Sequence, residues 1–241
     1  MSSSTLQNTW LITGASRGIG LELVRQLLDS PDNLVIAACR TPGKATALIG
    51  LKSSAKGALH VIQLEVTDFD SVRAVPKALE SILGESGLDY LVNNAGILKP
   101  DTPLTLDPEV LLETLRTNTV GPALLTQVCV PFLDKGRAKK IVNITSTLGS
   151  IASADAFGPG AVASYSMSKT ALNMLTYKLK LERPDLVAIT LCPGWVKTDL
   201  GGEGAPLEPK ESIAGIIKVA TSTTAADSGK FLRYNGELVP W

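Results

Sequence analysis

The sequence predicts an α/β protein built on one doubly wound sheet, mostly parallel, with about seven strands and helices on both faces. Two observations carry this prediction. Apolar runs of strand length alternate along the chain with longer segments of helical period, which is the signature of a parallel α/β sheet. The 241 residues contain no internal repeat, low-complexity tract or linker, so we expect one domain over residues 1–241.

The predicted strands are short, and they span residues 10–13, 34–39, 59–64, 90–92, 140–144, 187–191 and 231–233. The predicted helices lie between them, at residues 19–28, 45–51, 69–83, 109–133, 162–182 and 210–220. Right-handed crossovers are expected to place successive helices on alternate faces of the sheet. Ligands of such sheets bind beyond the carboxyl ends of the strands, so residues at strand ends are the candidates for a site.

Composition excludes several classes of partner. Lys and Arg number 23, as do Asp and Glu, and this balance argues against a nucleic acid or a membrane surface. The N-terminus lacks a signal-peptide pattern, and no apolar stretch approaches the roughly 20 residues of a membrane span. Cys39, Cys129 and Cys192 are widely spaced, which favours reduced thiols in a cytoplasmic protein. The single histidine, His60, lies in an apolar run typical of a strand, so no metal site is expected.

The first strand leads through a glycine-rich turn directly into a helix. Its spacing is Gly-x-x-x-Gly-x-Gly, and the candidate residues are Gly14, Ser16, Arg17, Gly18, Ile19 and Gly20. Glycines at such a turn permit close approach of a phosphate, and the helix N-terminus offers free amide donors to it. The turn therefore predicts a Rossmann-type dinucleotide site. An ordinary strand-to-helix turn is the alternative.

Arg40 follows the second strand, at the point where an acidic residue would bind the ribose of NAD. Together with Arg17 in the glycine loop, it offers two guanidinium groups that can grip a 2′-phosphate through bidentate hydrogen bonds. This favours NADP(H) over NAD(H). The alternative is that both arginines are solvated surface residues.

Two further strand ends carry polar residues. Asp68 follows the third strand and is placed to cap the next helix, as acids there usually do. The fourth strand ends in Asn93-Asn94-Ala95-Gly96, where a glycine lets a cofactor lie close to the backbone. In the following helix, Pro122 has no N–H, so the carbonyl of Asn118 loses its helical partner. That carbonyl could hold a water molecule, or the proline could simply kink the helix.

The fifth strand ends near Ser146, whose hydroxyl is placed to donate a hydrogen bond to a substrate oxygen. Tyr165 and Lys169 lie four residues apart on a predicted helix, hence on one face. We expect the ammonium to lower the pKa of the phenol and make it a proton donor and acceptor near neutral pH. The sixth strand ends in Cys192-Pro193-Gly194, followed by Thr198, which could reach an amide or a phosphate.

Taken together, these motifs resemble the short-chain dehydrogenase/reductase family over essentially the whole chain. The motifs occur in that family's order: residues 13–20, 93–96, Asn118, Ser146, Tyr165 with Lys169, and 193–194. Residues 193–202 and 228–241 are similar to the branch of sniffer-type carbonyl reductases and C-factor-like proteins, and fungal polyketide ketoreductases look like relatives. One departure is a longer interval between Ser146 and Tyr165, around residues 154–160.

The resemblance implies roles for the candidates. Tyr165 would donate a proton to the substrate carbonyl, and Lys169 would hold the nicotinamide ribose. Ser146 would bond the substrate oxygen, and Asn118 would hold a water that passes protons to Lys169. Asp68 becomes an adenine contact, and Thr198 would lie near the nicotinamide carboxamide. The implied cofactor-binding residues are Gly14, Ser16, Arg17, Gly18, Ile19, Gly20, Arg40, Asp68, Asn94, Ala95, Gly96, Tyr165, Lys169, Pro193, Gly194, Val196 and Thr198.

The implied activity is reduction of a small ketone or aldehyde by NADPH within this one domain. Residues expected to contact the substrate, unless they are ordinary core, are Ile97, Leu98, Leu148, Phe157, Trp195 and Val196. A ketoreductase committed to one biosynthetic substrate, or an alcohol dehydrogenase, would carry the same residues. A dinucleotide-binding regulator would be expected to lack the tyrosine or the lysine. Many relatives form dimers or tetramers through a helix surface that the additional residues could alter, so a homodimer or homotetramer is possible.

Overall fold

The computed structural model describes residues 7–157 and 162–241 of the chain. Within these two ranges the sheet has seven strands, all parallel, in the order β3-β2-β1-β4-β5-β6-β7. The strands are β1 Asn8–Thr13, β2 Asn33–Cys39, β3 Ala58–Gln63, β4 Tyr90–Asn93, β5 Lys140–Ile144, β6 Val187–Cys192 and β7 Phe231–Arg233. The predicted fold class is confirmed, and every strand lies within two residues of its predicted bounds.

The helices are α1 Gly18–Leu27, α2 Thr46–Gly50, α3 Phe69–Arg73, α4 Val75–Leu83, α5 Pro108–Leu115, α6 Gly121–Lys135, α7 Ala163–Glu182 and α8 Pro209–Ser222. Two helices predicted as single are divided. Residues 69–83 form α3 and α4, and a proline lies in the first turn of α4. Between α5 and α6 the backbone makes a π-helical turn over Arg116–Val120.

The central strands are buried on both faces of the sheet. All residues of β4, β5 and β6 are buried, and β1 and β2 each have one half-buried residue. Such strands need continuous apolar runs rather than alternation, which is why the runs predicted them so closely. The edge strand β3 is partly exposed, and His60 is one of its exposed residues.

The helices are grouped by face and do not alternate one by one. One face is covered by α1, α2 and α8, whose Leu23, Leu48 and Ile216 share a single core cluster. The opposite face is covered by α3 to α7 and includes Leu79 and Leu125. The predicted alternation is therefore wrong, because the connections change face only twice, between α2 and α3 and between α7 and α8, and otherwise stay on one face for several elements.

The last crossover differs in hand from the one before it. Strands β5, β6 and β7 succeed one another across the sheet in one direction and are parallel. Helix α7 joins the first two on the face of α6, whereas α8 joins the last two on the opposite face, beside α1. The expectation of right-handed crossovers therefore fails for this unit. The apolar residues of α8 complete the core around α1, and a connection over residues 193–208 is long enough to reach it.

A buried ladder of polar side chains fixes the register beneath the strand ends. The amide of Asn93 donates to Oδ1 of Asn143 at 2.7 Å, and the amide of Asn143 donates to the hydroxyl of Thr176 at 2.8 Å. The ladder connects β4, β5 and α7, so the carboxyl ends of the two strands and one face of α7 are held in fixed relation. Among the described residues, no helix is both long enough and apolar enough to cross a membrane.

Candidate active site

A cleft of about 830 Å³ opens at the carboxyl ends of the strands. Most residues predicted for the site border it: Gly14, Ser16, Arg17, Gly18, Ile19, Arg40, Asn94, Ala95, Gly96, Ser146, Tyr165, Lys169, Pro193, Gly194, Val196 and Thr198. Gly20, Asp68 and Asn118 are not among the residues that border it. The cleft therefore brings together motifs that are dispersed from one end of the sequence to the other.

The glycine loop has a geometry that side chains would block. Gly14 and Gly18 have φ angles of +66° and +54°, in the left-handed region that favours glycine. A Cβ at Gly20 would overlap the carbonyl oxygen of Gly14 and lie 2.7 Å from Nδ2 of Asn94. The absence of a side chain at Gly20 thus allows α1 to pack closely against the glycine loop. This cradle at the start of α1 fits the pyrophosphate of a dinucleotide, which binds free amides at a helix N-terminus.

The end of β1 is tied to the loop after β4 by Thr13. Its hydroxyl accepts hydrogen bonds from the backbone amides of Asn94 and Ala95, both at 3.0 Å. The side-chain amide of Asn94 in turn donates to the Thr13 carbonyl at 2.8 Å. The motif predicted over residues 13–20 begins with Thr13, but the sequence alone assigned no role to this residue. Asn94 shapes the floor of the cleft through its backbone contacts.

Arg17 and Arg40 both border the cleft, and both are exposed, as the alternative interpretation expected. Nη1 of Arg17 lies 3.4 Å from Asp199, and Nε of Arg40 lies 3.8 Å from Glu65. The side chains of the two arginines are 71% and 72% exposed, so these pairs are worth little in free energy. The two guanidinium groups are available to a phosphate at this end of the cleft.

Asp68 caps a helix. Its Oδ1 accepts from the backbone amides of Asp70 and Ser71, at 3.0 and 3.3 Å, in the first turn of α3. The capping alternative of the sequence analysis is therefore what the structure shows, and the adenine contact stays a prediction. Glu65 and Thr67, which the sequence analysis did not single out, border the cleft beside Arg40.

Tyr165 and Lys169 lie on the buried face of α7, one turn apart as predicted. Nζ of Lys169 donates to the carbonyl of Ile144, the last residue of β5, at 2.8 Å, and lies 5.5 Å from the Tyr165 ring centroid. Only 4% of Lys169 is exposed. The hydrogen bond to the end of β5 thus holds the ammonium group near the Tyr165 ring, at the border of the cleft.

Burial decides the pKa values of this pair. It raises the pKa of Tyr165 above the ordinary value of a phenol, and the nearby Ser146 hydroxyl opposes part of the rise. It lowers the pKa of Lys169 to about 8. The expected lowering of the phenol's pKa is therefore not found, because burial disfavours the charged phenolate. At neutral pH Tyr165 is a protonated phenol.

Ser146 lies at the end of β5, facing Tyr165 across the cleft wall. Its Oγ accepts from the backbone amide of Leu148 at 3.2 Å and so starts a short 3₁₀ turn over Thr147–Gly149. The hydroxyl lies near the phenol of Tyr165, and its influence lowers the pKa of that phenol in part. Ser146 and Tyr165 together can therefore address one oxygen atom placed between them.

Asn118 is fully buried in the π-helical turn. Its Oδ1 accepts from the amide of Ile97, and its Nδ2 donates to the Ile97 carbonyl and to the hydroxyl of Ser168, all at 2.9 Å. The side chain thus clamps the loop after β4 to α7. A π-helical turn, rather than a simple proline kink, accommodates Pro122, and such turns are frequent at functional sites. The water-holding role of Asn118 stays a prediction.

The segment after β6 forms the opposite wall. Gly194 has a φ of +83°, and Pro193 accepts a hydrogen bond from buried Ser212 of α8 at 2.7 Å. The methyl group of Thr198 would lie 3.6 Å from a Cβ at Gly18, so these two segments face each other across a narrow gap. A contact of Thr198 with a carboxamide stays a prediction.

The remaining wall of the cleft is apolar. Ile97, Leu98, Leu148, Phe157, Trp195 and Val196 all border it, as predicted. Trp195 is 61% exposed, and its indole nitrogen donates to the carbonyl of Gly201 at 2.7 Å, so the ring is held as a wall rather than packed as core. Within the additional residues before Tyr165, Ala154–Phe157 form a 3₁₀ turn. Residues 158–161, which include the end of this additional interval, lie outside the described residues.

The chain is similar to known proteins over nearly its whole length. A family model for short chain dehydrogenases matches residues 8–206. A crystal structure of NADPH-bound carbonyl reductase from chicken fatty liver is 36% identical, with a TM-score of 0.91 over 98% of this chain and 99% of that one. The Sniffer carbonyl reductase of D. melanogaster is 34% identical, with a TM-score of 0.90 over 98% and 100% of the two chains. The short chain dehydrogenase gsfK of Penicillium aethiopicum is 33% identical over 97% of this chain and 99% of that protein.

Proposed function

The chain belongs to the short-chain dehydrogenase family, and on that basis we propose that it is an NADP(H)-dependent carbonyl reductase that converts a ketone or an aldehyde to an alcohol. The observation that carries the proposal is the meeting of three groups at one point of the cleft. A phenol, an ammonium and a hydroxyl, from Tyr165, Lys169 and Ser146, converge beside a glycine loop shaped for a dinucleotide.

The residues of the cleft fit a nicotinamide cofactor, which when bound would supply the hydride. The glycine loop would receive the pyrophosphate, and Gly96 would let the nicotinamide ribose approach Lys169, since a Cβ there would lie 3.6 Å from Nζ. Arg17 and Arg40 would bind the 2′-phosphate that distinguishes NADPH from NADH. The NADPH bound to the similar chicken carbonyl reductase supports this preference.

Tyr165 would donate the proton in the reduction. Its raised pKa keeps the phenol protonated at neutral pH, which is the form that a carbonyl reduction consumes. Ser146 would stabilise the carbonyl oxygen as negative charge develops on it. Lys169, charged below its pKa of about 8, would stabilise the phenolate left behind and help to reprotonate it.

The apolar wall would bind the groups attached to the carbonyl. Phe157 and Trp195 are large, exposed and border the same cleft as Tyr165, so they suit an aromatic or aliphatic carbonyl compound. We infer that cofactor and substrate sites lie in one domain, because the same sheet carries both ends of the cleft.

The proposal is tested by following the loss of NADPH absorbance with a panel of ketones, aldehydes and quinones, and by repeating the panel with NADH. We expect turnover with several aromatic or aliphatic carbonyl compounds and a clear preference for NADPH. A protein that binds NADPH but does not oxidise it with any carbonyl compound of the panel would instead be a non-catalytic regulator. Equal rates with NADH would refute the role given to the two arginines.

A further inference from the structure

The helix that carries Tyr165 and Lys169 has no N-cap of its own. The residue at the N-cap of α7 is Val162, which has a φ of +64° and gives no side-chain hydrogen bond to the helix. A β-branched residue in the left-handed region is strained, and valine has no acceptor for the free amides of the first turn. Something else in the fold must satisfy those amides and hold the helix start in place.

Asp101, in the loop between β4 and α5, supplies the missing cap from 63 residues away. Its carboxylate accepts from the backbone amide of Ser164 at 3.1 Å and from the hydroxyl of Ser164. Its backbone carbonyl accepts from the amides of Val162 at 2.7 Å and Ala163 at 3.4 Å. One residue therefore satisfies three successive amides at the start of α7, and its negative charge is placed where the helix dipole favours it.

The loop that carries Asp101 also builds the cleft. Ile97 is clamped to Asn118 through both backbone groups, and Ile97, Leu98 and Lys99 border the cleft. The segment 97–101 is thus attached at one end to the π-helical turn and at the other to the start of α7. Ser164, the residue that Asp101 holds, is 1% exposed and directly precedes Tyr165.

We propose that Asp101 is a positioning residue of the reaction: it fixes the first turn of α7 so that the Tyr165 hydroxyl meets Ser146 and the substrate oxygen. This inference rests on the proposed reductase function. Tyr165 lies in the first turn of the helix, where fraying begins, and a proton donor displaced by about 1 Å can lose as much as 100-fold in rate.

The test compares Asp101→Ala with Asp107→Ala in the reductase assay. Asp107 caps α5 by accepting from the amide of Glu109 at 2.8 Å, so its loss removes an N-cap of the same kind away from the reacting groups. We expect Asp101→Ala to lower kcat about 10- to 100-fold while its Kd for NADPH stays within about twofold. Its solvent deuterium isotope effect on kcat should rise, because proton donation from a misplaced phenol becomes rate-limiting. Asp107→Ala should change none of these three quantities.

Two milder variants keep the test decisive if Asp101→Ala does not fold. Asp101→Asn retains an acceptor for the Ser164 amide and should recover most of kcat. Ser164→Ala removes only the hydroxyl, and combined with Asp101→Asn it should lose less than the product of the two single effects, since the groups touch.

The outcomes separate the inference from the proposed function. A wild-type protein that reduces no carbonyl compound refutes the function and is seen before any variant is compared. Wild-type turnover together with an Asp101 variant whose kcat and isotope effect match those of Asp107→Ala would overturn the positioning role.

Discussion

The two ends of the cleft are built in opposite ways. At the chemical end, Asn118 and Lys169 are buried and each has fixed partners: Ile97 and Ser168 for the amide, and the Ile144 carbonyl for the ammonium. At the nucleotide end, Arg17 and Arg40 are mostly exposed and rest in weak surface pairs. Charge and backbone shape suffice to bind a phosphate, whereas proton transfer needs atoms held in place beforehand.

The largest effect is expected at the chemical end, from Tyr165→Phe. The variant removes only the hydroxyl that we propose as the proton donor and leaves the ring that borders the cleft. Because general acid catalysis contributes about 100- to 10,000-fold, kcat should fall within that range. NADPH binding, measured by the change in its fluorescence, should be nearly unchanged. A variant with near wild-type turnover would assign proton donation to another group.

Lys169→Met tests how much the burial of a charged ammonium group lowers the free energy of unfolding. The pKa of Lys169 is lowered in the folded protein, so between about pH 8 and its ordinary value the unfolded chain binds more protons than the native one. Stability of the wild type should therefore rise with pH in that window, and that of the methionine variant should not. We expect the difference between their unfolding free energies to move by about 2 kcal/mol in favour of the wild type between about pH 7 and pH 9.5.

The measurement is chemical denaturation of both proteins at each pH, which cancels the titration of groups they share. The same ammonium predicts that reductase activity declines above about pH 8, as Lys169 loses its proton. A difference in stability that is independent of pH would place the pKa of Lys169 near its ordinary value.

Gly20→Ala tests whether NADPH binding depends on the close packing of α1 on the glycine loop. The new Cβ would collide with the Gly14 carbonyl, and overpacking of this kind costs about 1–3 kcal/mol. The loop would shift, and we expect NADPH to bind about 10- to 100-fold more weakly. Gly50→Ala is the matched control, since a Cβ at that helical position meets nothing within 4 Å. Titration with NADPH compares the two variants.

The smallest effect is expected from Arg40→Ala. This variant removes an exposed guanidinium group that we propose binds the 2′-phosphate of NADPH. Hydrogen bonds to charged groups are worth about 1.5–3 kcal/mol, so kcat/KM for NADPH should fall by roughly 10- to 100-fold, nearer the lower figure for a solvated site. The value for NADH and the melting temperature should stay close to those of the wild type. A parallel loss with NADH would mean that Arg40 does not contact the 2′-phosphate.

Local periodicity was enough to predict the strands and most of the residues that border the cleft. Glycine spacing and the period of a helix act within a few residues, so Gly14 to Gly20 and the Tyr165–Lys169 pair were readable from the sequence. Strand-end positions then placed Ser146 and Gly96 at the same edge of the sheet.

Features that depend on distant parts of the chain were not readable. The π-helical turn is held by hydrogen bonds from Asn118 to Ile97 and Ser168, and the cap of α7 comes from Asp101. The direction of the Tyr165 pKa shift follows from burial, which only the packed structure defines. The sequence left two roles open for Asp68, a helix cap and an adenine contact. The structure shows the cap, because the backbone amide of Asp70 donates to its carboxylate.

The reversed last crossover also bears on the order in which the molecule can assemble. Helix α8 packs on α1, and Arg17 contacts Asp199, which lies 182 residues later in the chain. During synthesis the first strand and helix therefore emerge long before the segment that completes their core and closes their cleft. Contacts this distant in sequence form slowly, so we expect the core around α1 to be completed late in folding.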